Sequence, residues 1–412
     1  MGMSLSGCGL GSGEGDEDVV LKVIAADYGK PGTKTSSKRY WDDVSEEFEN
    51  NHPGIRVDVK VIAWKYVDAE VKKLVDAGTP PDLAQIGAYA DYASQGLLYS
   101  ADDVLSIPTQ ANFIPSIAEA GEVSRIPYGL PFVSSSRLLF FNKKLFREAG
   151  LETEKGPQSW SDILNAAKKL KANGVKTPFG LPLGSEEAQA ESLLWMLGNG
   201  GGYTDSTGSY SLNSGENVET FEWIQKNLTG EGLATTNAKS TDRQEVFDGF
   251  LKNDVGMFFG HPTLIKDTEA EGIEVGIADR LPGRTGPAQS TMGVVDWMMA
   301  FKANGNREPI GQFLDFVFSD KQVTDFAQRY DLLPTTVTGA SRLRAERPEL
   351  TRFITQLESA VFYPAEKTSW AAVSAMVKQR IGKAAMPGGN AQGILDDLQD
   401  LADKAERQEE EE

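Results

Sequence analysis

Val19-Val20-Leu21-Lys22-Val23-Ile24-Ala25-Ala26 is an apolar run of strand length. A Gly/Pro/Ser/Thr-rich loop (residues 29–37) follows, and then Trp41, Val44 and Phe48 fall on one helical stripe with acids on the opposite face. Asn51-His52-Pro53-Gly54 reads as a turn. Ile55, Val57, Val59 and Val61 alternate with Arg56, Asp58 and Lys60, the period-two pattern of a half-buried strand. A second helix carries Val67, Val71, Leu74 and Val75 and stops at Gly78, because Pro80-Pro81 blocks its continuation. Residues 82–86 return as a strand. Strand-helix-strand-helix-strand predicts a parallel sheet with helices packed on it, hence an α/β fold. Ligands of such sheets sit beyond the carboxyl ends of the strands. Those ends place Tyr28, Gln85, Tyr89 and Asp91 among the candidate ligand contacts.

The alternation continues outward. Residues 138–141 and 255–259 read as apolar strands, and 294–301 as another. A short helix over 143–149 is stopped by Gly150. Ser159 with Asp162 three residues on makes a capping-box start, followed by Ile163, Ala166, Ala167 and Leu170 at helical spacing. Helices are expected around 310–318 and from about Asn390 to the end. There is no internal repeat and no long low-complexity linker, so two lobes joined by several crossings are expected rather than two separate beads.

Composition narrows the function. The chain has 412 residues, long enough for two domains. Lys plus Arg number 41 and Asp plus Glu 60, for a net charge of −19. Such a surface repels phosphate backbones and anionic lipid headgroups, which argues against nucleic acid as a partner. With one cysteine (Cys8) and two histidines (His52, His261), neither a disulfide nor a thiolate or histidine metal cluster is expected, and no metal or cofactor is expected either. Phosphate-loop spacing is missing, and Gly198 to Gly202 fails the dinucleotide pattern. Glu187 and Glu191 lie one helical turn apart, which does not establish a pair flanking a scissile bond. No catalytic residue is assigned.

Leu5-Ser6-Gly7-Cys8 reads as a lipobox, with Cys8 the acylated lipid anchor and residues 1–18 a lipobox and flexible Gly/Ser/acid tether. Met1-Gly2 with Ser6 also fits the loose myristoylation pattern. The last residues, 406–412, read as a solvated acidic tail.

An ordered set of motifs carries a resemblance. Trp41, His52-Pro53-Gly54-Ile55-Arg56-Val57, Gly78-Thr79-Pro80-Pro81-Asp82 and Tyr128-Gly129-Leu130-Pro131 are followed by Leu139-Phe140-Phe141-Asn142-Lys143 and Glu148-Ala149-Gly150. Ser159-Trp160-Ser161-Asp162, Gly256-Met257-Phe258-Phe259-Gly260 and Leu333-Pro334-Thr335 complete it. Over roughly residues 19–405 the chain resembles extracellular solute-binding proteins of the maltose-binding type, including the acarbose/maltose binders of actinobacteria. The resemblance implies a two-lobed, Venus-flytrap fold with a ligand cleft and hinge crossings. Its lobes would be 19–134 plus 295–334, and 135–294 plus 335–405. It further implies a monomeric, extracytoplasmic lipoprotein that captures carbohydrate and hands it to the permease of an ABC importer. The implied ligand is an oligosaccharide of α-linked glucose units, acarbose-like pseudo-oligosaccharides included. A galactose-type monosaccharide is the alternative, and a glycoside-processing enzyme the alternative from another class.

A sugar offers an apolar C–H face to aromatic rings and a rim of hydroxyls to planar polar groups. By position, the resemblance makes Trp370 a stacking ring and Gln189 and Glu191 polar contacts from the second lobe. The acids 186–191 equally suit a helix N-terminus behind Ser185. Trp297 stands at a hinge-like strand, open to either cleft or core, and its neighbour Asp296 is an acid in an apolar run, costly unless paired or functional. Trp64 is read as a cleft wall or a satellite core residue. His261 lies where relatives carry a stacking aromatic. In Pro131-Phe132-Val133-Ser134-Ser135-Ser136-Arg137, Ser135 replaces an acid common among relatives, and Arg137 either anchors the hinge or reaches the ligand.

Overall fold

The computed structural model describes residues 18–29, 32–86 and 89–410. The lipobox and Cys8 lie outside the described residues. Val19–Asp27 runs parallel to Ile55–Ala63 on one side and to Leu83–Ile86 on the other. The sheet then continues antiparallel through Gly293–Phe301 and Leu130–Ser136 to Leu333–Pro334 at its edge.

The helix over Lys38–Asn51 buries Tyr40, Trp41, Val44 and Phe48 against this sheet, and Trp41 stacks on Phe132 at 5.6 Å. Each such side chain withdrawn from water contributes about 1.5–3 kcal/mol. Gly78 ends the next helix, Trp64–Asp76, because the turn there needs φ = +70°: its N–H reaches Val75 O and that of Thr79 reaches Leu74 O.

A second sheet has the order Val275–Ile277, Leu138–Asn142, Val255–Gly260, Thr177–Gly180. Its largest core packs Trp160, Phe179, Trp195 and Phe221. The helix Trp160–Ala172 starts with both arms of its capping box closed. Asp162 N–H donates to Ser159 Oγ (3.2 Å), and Ser159 N–H donates to Asp162 Oδ2 (3.0 Å).

The chain passes between the sheets at Arg137, between Ile277 and Gly293, and after Pro334. At the first passage one residue separates Leu130–Ser136 in one sheet from Leu138–Asn142 in the other. The last helix, Ala391–Glu410, carries the acidic end further than a free tail: residues 406–410 continue it, and Glu406 pairs with Lys367. Among the described residues no helix is long and apolar enough to cross a membrane.

Candidate functional site

A cavity of about 400 Å³ opens between the two sheets. The carboxyl ends of the parallel strands build one wall. Trp64 begins its helix directly after Ile55–Ala63, and Asp91 follows Leu83–Ile86. Asp68, one turn beyond Trp64, lines the same wall. The central strand forms the floor with residues 293–297.

A register shift between Asp296 and Trp297 marks a β-bulge against Leu130–Ser136. Alternation would send consecutive residues to opposite faces. Residues 293–297 nevertheless all line the cavity, and the bulge falls within this run. The opposite wall is the segment Phe362, Tyr363 and Ala365 and one face of the helix Trp370–Arg380. That face presents Trp370, Ala371, Ser374, Ala375 and Lys378, with Gln189 beside it.

Of the residues singled out in the sequence, Trp64, Asp91, Gln189, Asp296, Trp297 and Trp370 line this cavity. Trp64 is 37% exposed, whereas Trp297 is buried and packs edge-on to Tyr89 at 5.3 Å. Trp370 is also largely buried: Tyr363 stacks over it (5.5 Å, 27°) and Tyr203 lies behind at 5.1 Å. Tyr363 therefore covers the Trp370 face and belongs to the cavity wall in its own right.

Other candidates support the wall without lining it. Tyr28 donates its hydroxyl proton to Asp296 Oδ2 at 2.7 Å and accepts a hydrogen bond from Gln85 Nε2. Gln85 Oε1 in turn takes the N–H of Ala26 (3.2 Å). Asp27 fixes the loop by accepting from the N–H groups of Gly29 and Ser37. Tyr89 is buried with its hydroxyl on Ala120 O (2.6 Å).

Burial pushes the Asp296 carboxyl up to about 6, Tyr28 opposing this by its hydrogen bond, Asp68 adding to it by repulsion and Arg137 opposing it by attraction. Tyr28 itself is raised, by burial first and then by Asp296.

Glu191 does not reach the cavity lining. The helix Ala188–Gly198 is buried on all sides, and Glu191 accepts from Trp195 Nε1 at 2.9 Å within it. Burial raises its carboxyl to about 8. Ser135 is likewise buried, paired across the ladder with Val294 of the floor, its hydroxyl without a hydrogen-bond partner among the described residues. Arg137 sits at the passage between the sheets and pairs with Glu187 at 3.0 Å. Arg243 holds the other Glu187 oxygen and also Glu186. His261 lies near this cluster, its ring edge-on to Phe247 and hydrogen-bonded to Thr263 Oγ1. Burial, with Arg137 and Arg243 adding repulsion, holds its imidazole neutral well below the usual histidine range.

Two residues of the cavity wall each carry a buried polar atom with no hydrogen-bond partner among the described residues, Gln189 Oε1 and the Tyr363 hydroxyl. An unpaired buried polar group costs about 1–3 kcal/mol.

Phe362, Tyr363, Asp68 and Lys378 escaped the sequence reading. Phe362 and Tyr363 sit in a segment with no periodic pattern, and Asp68 reads as one more acid on a solvated helix face. Only Lys378 had a signal: residues 370, 371, 374, 375 and 378 share one helical face.

Two lobes with an aromatic-walled cavity between them are the architecture of a two-lobed solute-binding protein. The chain belongs to the bacterial extracellular solute-binding protein family, which matches it over residues 32–324. A Brucella abortus protein named only as a binding protein is 27% identical over 88% of this chain and 89% of its own. The sn-glycerol-3-phosphate-binding periplasmic protein of Brucella melitensis is 25% identical over 63% of each chain.

Among solved structures, the GacH receptor of Streptomyces glaucescens, determined unliganded and with acarbose, superposes with a TM-score of 0.78. It is 20% identical, covering 94% of this chain and 99% of that one. The maltose-binding protein MalE of Listeria monocytogenes, in complex with maltose, has a TM-score of 0.74 and 18% identity over 95% and 98%.

Proposed function

We propose that the chain is the extracytoplasmic receptor of an ABC carbohydrate importer. It binds a short α-glucoside reversibly in the cleft, performs no chemistry on it, and delivers it to the permease. The observation that carries this reading is the pairing of aromatic side chains with carboxylate and amide groups on the walls of one cavity. Trp64 on one side and Tyr363 backed by Trp370 on the other suit the C–H faces of a sugar. Asp91, Asp296 and Gln189 suit its hydroxyl rim. A volume of about 400 Å³ falls in the lower part of the range of small-molecule sites, about 300–1,000 Å³, which favours a short saccharide.

Charge argues for a neutral ligand. Asp68, Asp91 and Asp296 line the cavity with Lys367 and Lys378, and Lys367 is engaged by Glu406. The lobes of this reading are 19–134 plus 295–334 and 135–294 plus 335–405, closing about the passages near Arg137, Gly293 and Pro334. Cys8 is the proposed lipid anchor, and the working form a monomer.

A thermal-shift screen over maltose, maltotriose, acarbose, galactose and sn-glycerol 3-phosphate tests the assignment. Ligand at about 100 times its Kd adds about 2.7 kcal/mol to the folded state, a shift of several degrees. Maltose or maltotriose is expected to give it, with no product after prolonged incubation. A shift with sn-glycerol 3-phosphate alone would move the ligand to a phosphorylated polyol. Silence across the panel would remove the sugar-receptor reading.

A further inference from the structure

We infer that Asp296, oriented by Tyr28, is a specificity-determining residue of the cleft, accepting a hydrogen bond from a hydroxyl of an uncharged sugar and turning away phosphate esters. The inference rests on the sugar-receptor reading and deepens it. Asp296 lines the cavity beside Trp297 on the central strand, at the place where a ligand between the lobes would meet the floor. Tyr28 fixes the carboxylate by donating to Oδ2 at 2.7 Å. Tyr28 is itself held by Gln85 and wedged against Trp64, Phe326 and Tyr330, with ring centroids 5.1–5.8 Å away. The carboxylate cannot swing away without breaking the hydrogen bond from this fixed hydroxyl. Its other oxygen accepts no hydrogen bond from the described residues.

An ionised carboxylate can only accept. A sugar hydroxyl donates to it, and a charge-assisted bond of this kind is about twice as strong as a neutral one. A phosphate ester brings acceptors and negative charge, and meets repulsion. The charged groups around Asp296 act in both directions. Asp68, from the helix after the second strand, repels its charge, and Arg137, at the passage between the lobes, attracts it while pairing with Glu187. Of the other charged wall residues, Asp91 opposes an anion, Lys367 is engaged by Glu406, and Lys378 is, among the described residues, the remaining cation of the far wall.

The consequence is a pH dependence with a defined sign. The carboxyl titrates at about 6, so its acceptor character is complete well above that pH and is lost as pH falls through it. At pH 5 only about a tenth of the protein carries the ionised form.

The test is calorimetric titration of the full chain with maltose and maltose 1-phosphate from pH 5 to 8. Galactose and galactose 1-phosphate replace them if the screen selects the monosaccharide. Affinity for the neutral sugar is expected to fall up to about tenfold between pH 8 and pH 5 in the wild type and to be flat in Asp296→Asn. Tyr28→Phe removes a bond that favours the charged form, so the midpoint of its profile is expected to move to higher pH. At pH 8 the preference for the neutral sugar over its phosphate is expected to shrink at least tenfold in Asp296→Asn. Equal affinity at pH 5 and pH 8 in the wild type overturns the inference. So does an Asp296→Asn protein, folded by its melting temperature, that keeps both the pH profile and the discrimination. A wild type that binds no saccharide of the screen fails earlier, at the receptor reading itself, so the two failures are told apart.

Discussion

Trp370→Ala is expected to weaken sugar binding at least tenfold and to lower stability by about 3–5 kcal/mol. The double effect follows from where the ring sits. It is 9% exposed, with Tyr363 stacked on one face at 5.5 Å and Tyr203 packed at 5.1 Å. Ser369, the residue just before its helix, hydrogen-bonds through its hydroxyl to that of Tyr210. Removing the indole opens a cavity in the core of the second sheet. It also takes away the backing that holds Tyr363 on the cleft wall. Trp64→Ala provides the contrast, because Trp64 is exposed and stands on the opposite wall. It is expected to cost a similar factor in affinity and about 1 kcal/mol or less in stability, as an exposed side chain leaves little cavity behind. Calorimetric titration gives the affinities and urea unfolding the stabilities. A folded Trp370→Ala protein with wild-type affinity would make the residue purely structural. Unchanged affinity in Trp64→Ala would take that ring out of the wall.

The first lobe was legible in sequence because its elements are regular. Alternation at 55–61 and the stripe Trp41, Val44, Phe48 are direct consequences of strand and helix periodicity, and the strand-end rule then led to Tyr28, Gln85, Tyr89 and Asp91. What periodicity cannot give is the division of labour among them. Asp91 faces the cavity, whereas Tyr28 and Gln85 stand behind Asp296 and Tyr89 behind Trp297. That sorting depends on contacts between strands distant in sequence, which leave no mark in the residue pattern.

On the other wall, the helix Ala188–Gly198 looked amphipathic, with acids suited to its exposed start. The structure buries the whole of it, so Glu191 meets Trp195 and not solvent. Residues 362 and 363 belong to no helix or strand and are placed by the packing of the last third of the chain.

Glu191→Gln is expected to stabilise the protein at alkaline pH by about 4 kcal/mol while changing little at pH 5. The carboxyl is 4% exposed, and burial raises it to about 8 from an ordinary 4.5, with Glu187 adding repulsion and the Trp195 and Arg137 contacts opposing. A raised carboxyl binds a proton more tightly folded than unfolded. Its contribution to stability is therefore complete below the unfolded value near 4.5. That contribution is lost as pH rises toward the folded value, at about 1.36 kcal/mol per unit, because the fold must then bury a charge or keep a proton that the solvent withdraws.

Glutamine keeps the carbonyl oxygen that accepts from Trp195 Nε1 and has no proton to lose. The two proteins should therefore have stability curves that coincide near pH 5 and separate steadily to pH 9, measured by urea unfolding at each pH. Parallel curves would mean that Glu191 is ionised in the fold and finds compensation elsewhere. The helix that carries it also carries Gln189, which lines the cavity two residues earlier. Tightening this helix at high pH should preserve that wall, so the difference between the proteins in sugar affinity should widen with the difference in stability.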